Sequence, residues 1–378
     1  ASRNLAAAES QIDANPLIHG EYIYNKIDFS LLWHQLYFIS NMQDPLIEKR
    51  IEQGELQLFC SLVELSHIYQ ILLAISKSYN VKLENNLVFE YLRSINYKKI
   101  LEYIENEEIK GVKALTHDRL QKAVKVYLCF LVTMIEENDE EYFGKMYQMV
   151  STQSGMFART ELQNLYVMLS TVCTRKRKTV NEEKYLRTFF DVIKDAVSKD
   201  LFTSYRGQYM DVTNFIMIFY TALQLTENDW AADFLRKYGE RISPEYLEDM
   251  VGYSFAELFF TKKQFERSLG SLSKVSLKLF RLKVPVKMLM LRLYYELNHI
   301  EEAFSLVDSF SHFVTANKKI RTDEKNNYLN FLNYYREILK AKAGGKSGML
   351  PKKFKEDLAS ASLLPHKNWL IEKAGEFS

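Results

Sequence analysis

Metal or acid–base chemistry would draw first on seven histidines: His19, His34, His67, His117, His299, His312 and His366. No two of them stand four residues apart and HExxH is absent, so no helix presents a zinc-binding pair on one face. His34 and His67 sit in aromatic-rich stretches and read as core-edge or surface residues. The three cysteines, Cys60, Cys129 and Cys173, are far apart, odd in number and without CxxC. They read as buried free thiols and suit a reducing compartment.

Gly344-Gly345-Lys346-Ser347 has the end of a phosphate-binding loop but not its start. GxxxxGK[ST] requires glycine at 340, where Lys340 stands, and the loop must follow a strand. An amphipathic helix is expected before it and Pro351 follows, so the segment reads as a linker. Glu136 to Glu141 (EENDEE) lacks the glycine and alternating ligands of a calcium loop and reads as a solvated turn. No GxSxG elbow or papain-like cysteine context is present. No catalytic residue, metal or cofactor is therefore expected.

One basic cluster stands out: Arg175, Lys176, Arg177 and Lys178. Four cations in a row could hold phosphate or an acidic peptide. The simpler account is charge at a helix C-terminus, complementing the macrodipole and running into a solvated loop. The whole chain has 50 Lys and Arg against 48 Asp and Glu, so no general field for nucleic acid exists.

These residues must be positioned by helices. Only 13 glycines and 6 prolines punctuate 378 residues, too few for the turns of a sandwich or barrel. Apolar residues recur with the helical period at Phe29, Leu32, Trp33, Leu36 and Tyr37, at Leu162, Leu165, Tyr166 and Leu169, and at Tyr328, Phe331, Leu332 and Tyr335. Ser243-Pro244-Glu245 predicts an N-cap, a first-turn proline and an acid. Breaks are short, as at Gln43-Asp44-Pro45 and Asn298-His299, so consecutive helices are expected to pack as antiparallel neighbours. Roughly fourteen to eighteen helices fit the length. The longest apolar runs, Tyr127 to Ile135 and Phe215 to Tyr220, fall well short of the ~20 residues of a membrane span, so no membrane contact is expected. No signal-like apolar core opens the chain, and a cytoplasmic location is expected.

A repeat is the strongest organising signal. Phe219 to Phe234, Ala256 to Leu269 and Leu291 to Phe304 each read as helix end, polar turn and helix start. Trp230, Phe265 and Ile300 follow the turn at 35-residue intervals, the scale of stacked helical hairpins. In two units a residue of helix A, an aromatic three places on, an apolar residue after the turn and a small residue in helix B recur. These are Ala256, Phe259, Phe265 and Ser268, then Leu291, Tyr294, Ile300 and Ala303. The pattern resembles the tetratricopeptide repeat, clearest over 214–310. Asp233 occupies the small-residue place of the first unit, and the usual proline ending helix B is absent.

The resemblance implies an all-α fold, an α-solenoid of antiparallel helix pairs coiled as a right-handed superhelix. The expected organisation is a tail over 1–20, repeats over 21–340, a Gly/Lys-rich linker over 341–351, and a short helical segment over 352–378. Trp369 would dock that last segment as a cap. The expected function is a non-enzymatic scaffold that binds a peptide or protein partner on a concave surface bearing some of the 24 tyrosines. A helical-repeat RNA binder, as pentatricopeptide proteins of this period are, is one alternative. A regulatory region of a larger multidomain protein is another.

Overall fold

The computed structural model describes residues 2–14, 17, 20–79, 86–105, 118–136, 139–203, 209–276, 279–344 and 349–377, without the side chains at 20, 76–79, 118, 119, 178 and 281. Pro16, His19, His117, the middle of EENDEE, and Gly345 to Gly348 lie outside the described residues. The fold is all-α, with eighteen helices among the described residues. Strand-like pairing among the described residues is confined to isolated bridges, such as Met210 to Ile242. The chain forms two compact units, Ala1–Lys77 with Val81–Gln208, and Ser78–Asn80 with Tyr209–Ser378. The 21–340 stretch expected as repeats spans both.

The first unit holds α1 (Ser2–Asp13), α2 (Gly20–Ile39), α3 (Gln43–Tyr79), α4 (Leu87–Ser94), α5 (Tyr97–Glu105), α6 (Asp118–Ile135), α7 (Glu141–Thr152), α8 (Arg159–Thr179) and α9 (Glu182–Ser198). Every residue of α6 from Val126 to Met134 is buried. A helix apolar on all sides is a core helix, which is why the Tyr127 to Ile135 run exists. Within the segment expected as a tail, α1 is tied to α2. Lys26 Nζ reaches Glu9 at 2.8 Å and Asp13 at 3.1 Å, and Trp33 Nε1 donates to Glu9 at 2.8 Å.

The expectation about membrane-length segments needs correction. From Gln43 to Ile75, α3 is long and apolar enough to cross a membrane, by length and composition alone. Short polar interruptions hide this from a search for unbroken runs, because in a helix they fall between two apolar faces.

The second unit holds α10 (Val212–Gln224), α11 (Asn228–Tyr238), α12 (Pro244–Thr261), α13 (Phe265–Leu272), α14 (Phe280–Glu296), α15 (Ile300–Ala316), α16 (Thr322–Ala343), α17 (Lys352–Ser360) and α18 (Lys367–Gly375). Ser243 is the N-cap of α12 with Pro244 in its first turn, but its hydroxyl makes no capping bond. Three helix ends share one turn. Thr226, Lys263 and Asn298 take left-handed φ of 57°, 56° and 60°. The next N–H then bonds back to Ala222, Phe259 and Tyr294 carbonyls at 2.9, 2.9 and 2.8 Å. This is the Schellman closure of a helix C-terminus.

The turns are 37 and then 35 residues apart. The Phe219 to Phe234 segment is therefore two residues out of the phase read from sequence, and Asn228, not Trp230, corresponds to Phe265 and Ile300. The corrected phase removes the anomaly at Asp233. Ala231, Ser268 and Ala303 now occupy one place, and all three are fully buried. Small residues there let consecutive helices approach, and Ser268 Oγ donates to the Ala256 carbonyl of the preceding helix at 2.6 Å.

Of the expected linker, 341–343 belongs to α16. Beyond it, α18 is docked rather than loose. Trp369 Nε1 donates to Glu296 at 2.9 Å, and its ring meets Tyr295 and Tyr335 at centroid distances of 5.3 and 6.0 Å.

Candidate functional site

The basic cluster singled out by sequence is built into the protein. Lys176 is 2% exposed. Its Nζ donates to the Asp139 carbonyl at 3.0 Å and lies 5.7 Å from the Tyr185 ring centroid. Arg175 Nη1 donates to Tyr69 Oη at 3.4 Å. Arg177 is half-buried, 3.7 Å from Glu182, and burial pulls its pKa below the usual arginine value. The Lys178 side chain lies outside the described residues. Nearby, a hydrogen bond from Lys184 holds the Glu140 carboxyl below its ordinary range, with Tyr185 adding to it. The cations thus brace α8 against its neighbours.

The repeat residues lie in helix contacts. Trp230 stacks on Phe234, and Phe265 meets Phe260. Arg267 covers Phe259 at 4.3 Å, and Tyr294 stacks on His299. Ala256, Ser268 and Ala303 are buried, and Ile300 packs at the edge of the same core as Tyr294.

Three places among the described residues bear most on chemistry or recognition. The first is a polar chain inside the second unit. Tyr220 and Tyr253 hydroxyls lie 3.1 and 2.8 Å from Glu257 Oε1 and touch each other. Arg292 Nη2 closes on both Glu257 oxygens at 2.9 and 3.1 Å. Burial, then the Glu257 charge, drives both phenols well above their usual pKa. The protonated phenols and the paired carboxylate join α10, α12 and α14.

The second is a cavity of about 180 Å³ in the first unit, lined among others by Tyr24, Cys60, His67, Tyr127 and Glu161. His67 Nε2 is 3.4 Å from Glu161 Oε1 and 3.5 Å from Tyr127 Oη. Burial pushes the Cys60 thiol up, so the cysteine is kept protonated and is a poor nucleophile. Among the described residues, no three metal-ligating groups converge.

The third is a groove of about 380 Å³ between α3 and α5, also in the first unit. Its shape follows from local sequence. Asn86 caps α4 by accepting from Val88 N at 2.9 Å. The break at Ile95-Asn96 then restarts the chain as α5, where Asn96 accepts from Lys99 N at 3.0 Å. The buried Tyr97 hydroxyl donates back to the Leu92 carbonyl at 2.7 Å, fixing α5 against α4. Tyr97, Leu101 and Ile104 point inward, which leaves Ile100 and Tyr103 to line the groove opposite Leu58 and Phe59. Leu58 and Tyr103 are 49% and 47% exposed. Glu55 and Lys99 set opposite charges on the rim. Sequence reading missed this site; the 97/101/104 spacing marks α5 as amphipathic, but nothing local says that α3 lies across from it.

An apolar lining with opposed rim charges suits recognition. No family model matches the chain, and neither curated proteins nor solved structures give a significant match.

Proposed function

We propose that this chain is a non-enzymatic protein-interaction module that takes an apolar-faced helical segment of a partner protein into the α3/α5 groove. The observation that carries this reading is the groove itself, with large half-exposed apolar side chains facing each other across open space. Leaving such side chains in water costs roughly 25 cal/mol per Å², and a helix with anchors at i, i+4 and i+7 would cover them. The opposed charges of Glu55 and Lys99 would orient that helix.

The scaffold reading extends to the second unit. The recurring turn at Thr226, Lys263 and Asn298, with buried small residues at Ala231, Ser268 and Ala303, supports a short α-solenoid of antiparallel pairs like that of tetratricopeptide proteins. The RNA-binding alternative rests on the 35-residue period, and of the cations at 175–178 that would serve it Lys176 is buried.

The test is selection of a displayed library of random 16-residue helical peptides on the full chain, counter-selected on Ile100→Glu and on Tyr103→Glu. Binders with one apolar face, each weakened at least tenfold by either substitution, are the expected result. A library yielding no binder that senses these two positions would sink the proposal.

A further inference from the structure

A second face of α3 carries a different message. Starting at Ile47, steps of four and three residues pass through Ile51, Gly54, Leu58, Ser61, Leu65, Ile68 and Leu72 to Ile75. Seven of these nine positions are Ile or Leu, and two are small. Ile47, Ile51, Leu58, Ile68 and Ile75 are 41–57% exposed. The opposite side of the helix, with Leu56, Phe59, Leu62, Val63 and Tyr69, is buried in the first unit. The Ile/Leu seam, exposed except at the half-buried Leu65 and Leu72 and widened near its end by the exposed Ile71, keeps a period of 3.5 residues for four heptads or ~42 Å of helix.

The period selects the occupant. A lipid surface asks only for breadth of apolar cover. A stripe repeating every 3.5 residues follows a second helix that supercoils around it. Gly54 and Ser61 are successive d positions, seven apart, and let two axes approach closely around Leu58. A Cβ built on Gly54 meets nothing within 4 Å, so that close approach is not used inside the chain.

The flanking charges select the same sequence as partner. In a parallel, in-register pair, the residue before each a position faces the residue five places on in the other helix. This sets Arg50 against the partner's Glu55, twice by symmetry, and Gln43 against the partner's Glu48. Antiparallel pairing about Ser61 would instead set Arg50 near the partner's Ile71 and Glu55 near the partner's Tyr69. We propose that the chain forms a parallel homodimer in which the Ile47–Ile75 seams of two copies pair as a coiled coil. This goes beyond the groove reading; Glu55 and Leu58 border both surfaces, so the test variants lie elsewhere.

The experiment is sedimentation equilibrium of the full chain from 1 to 100 μM. The expected mass is twice 44.5 kDa. Ile68→Glu with Ile75→Glu should raise the dissociation constant at least 100-fold with helical circular dichroism unchanged. Gly54→Cys should form an intermolecular disulfide on mild oxidation, because the in-register parallel pair brings the two positions together whereas antiparallel pairing about Ser61 holds them about 21 Å apart. Cys60, Cys129 and Cys173 are buried, so the wild type supplies the background. A monomer at 100 μM, a dimer indifferent to the paired glutamates, or a Gly54→Cys dimer that fails to cross-link would each overturn the proposal. So would a monomer that floats with phosphatidylcholine vesicles.

Discussion

Glu257 on α12 and Arg292 on α14 form a buried, doubly hydrogen-bonded ion pair across 35 residues of sequence, with side chains 3% and 7% exposed. Each stands four residues before the end of its helix, and Tyr220 stands at the same place in α10. Corresponding positions of three alternate helices, α10, α12 and α14, are thus linked into one polar chain. The guanidinium also lies 4.5 Å over the Phe260 ring. Burial works against the Arg292 charge, but Glu257 offsets it and the arginine pKa is raised.

Breaking that pair should be costly, since it strands a charge in the core. Glu257→Leu is expected to lower the unfolding free energy by about 3–5 kcal/mol. Adding Arg292→Met should recover at least half, because two apolar side chains of similar volume leave no charge behind. The remaining deficit belongs to the Tyr220 and Tyr253 hydroxyls, which keep only each other once the carboxylate is gone; the one hydroxyl proton left unbonded costs about 1–3 kcal/mol, and Tyr→Phe at both should remove it. Urea denaturation of the series measures this; a double variant no better than Glu257→Leu would contradict it.

The three left-handed turn residues make a ranked prediction. Glycine adopts this conformation without penalty, asparagine tolerates it, and a β-branched residue is strained there. Thr226→Gly should stabilise the most, roughly 1 kcal/mol. Lys263→Gly should gain less, and Asn298→Gly least. Thermal melts of the three single variants test the order, and a destabilised Thr226→Gly would show that its hydroxyl bond to the Leu225 carbonyl outweighs the strain.

The same residues show what could be read from sequence. Helicity was legible because periodic apolar faces and scarce Gly and Pro leave few alternatives. The 35-residue spacing was legible at Phe265 and Ile300, each two residues after a left-handed turn residue, Lys263 and Asn298. Its phase was misread in the Phe219 to Phe234 segment because Trp230 looks like a post-turn aromatic. Only the bond from Glu227 N to Ala222 O places the turn at Thr226. Lys176 was readable in principle: it continues the Leu165, Leu169, Val172 spacing of the buried face of α8, but neighbouring cations draw it into a basic run. The α3/α5 groove was not readable, because it depends on two helices meeting about 40 residues apart in sequence.

Stability should fall at high pH for a defined reason. Burial pushes the Cys129 and Cys173 thiols up to about 12, and the Tyr147 and Tyr328 phenols likewise up to about 12. Unfolded thiols and phenols ionise near ~8.5 and ~10. Folding favours the protonated form, so the contribution is complete below the unfolded values and disappears as pH rises through the folded ones. The urea midpoint should be flat from pH 7 to 8.5 and decline between about 9 and 12. At pH 8 a thiol-reactive disulfide reagent should label Cys129 and Cys173 only after unfolding. Fast labelling of either in the native protein would refute the assignment.

Trp369 carries the last prediction. Its indole N–H bonds Glu296 on α14, its ring packs between Tyr295 and Tyr335, and Lys373, one turn on, pairs with Glu296 at 2.9 Å. The neighbouring Leu370 is fully buried. Together these residues close the apolar end left by α14 and α16, as terminal capping helices do in stacked arrays. Trp369→Ala removes a half-buried ring and leaves one Glu296 bond unmade, which should cost roughly 2–3 kcal/mol. Hydrogen exchange should then accelerate in α18 and at the C-terminal ends of α14 and α16, with α10 and α11 unchanged. A melting temperature equal to wild type would mean that α18 rests on the surface without sealing it.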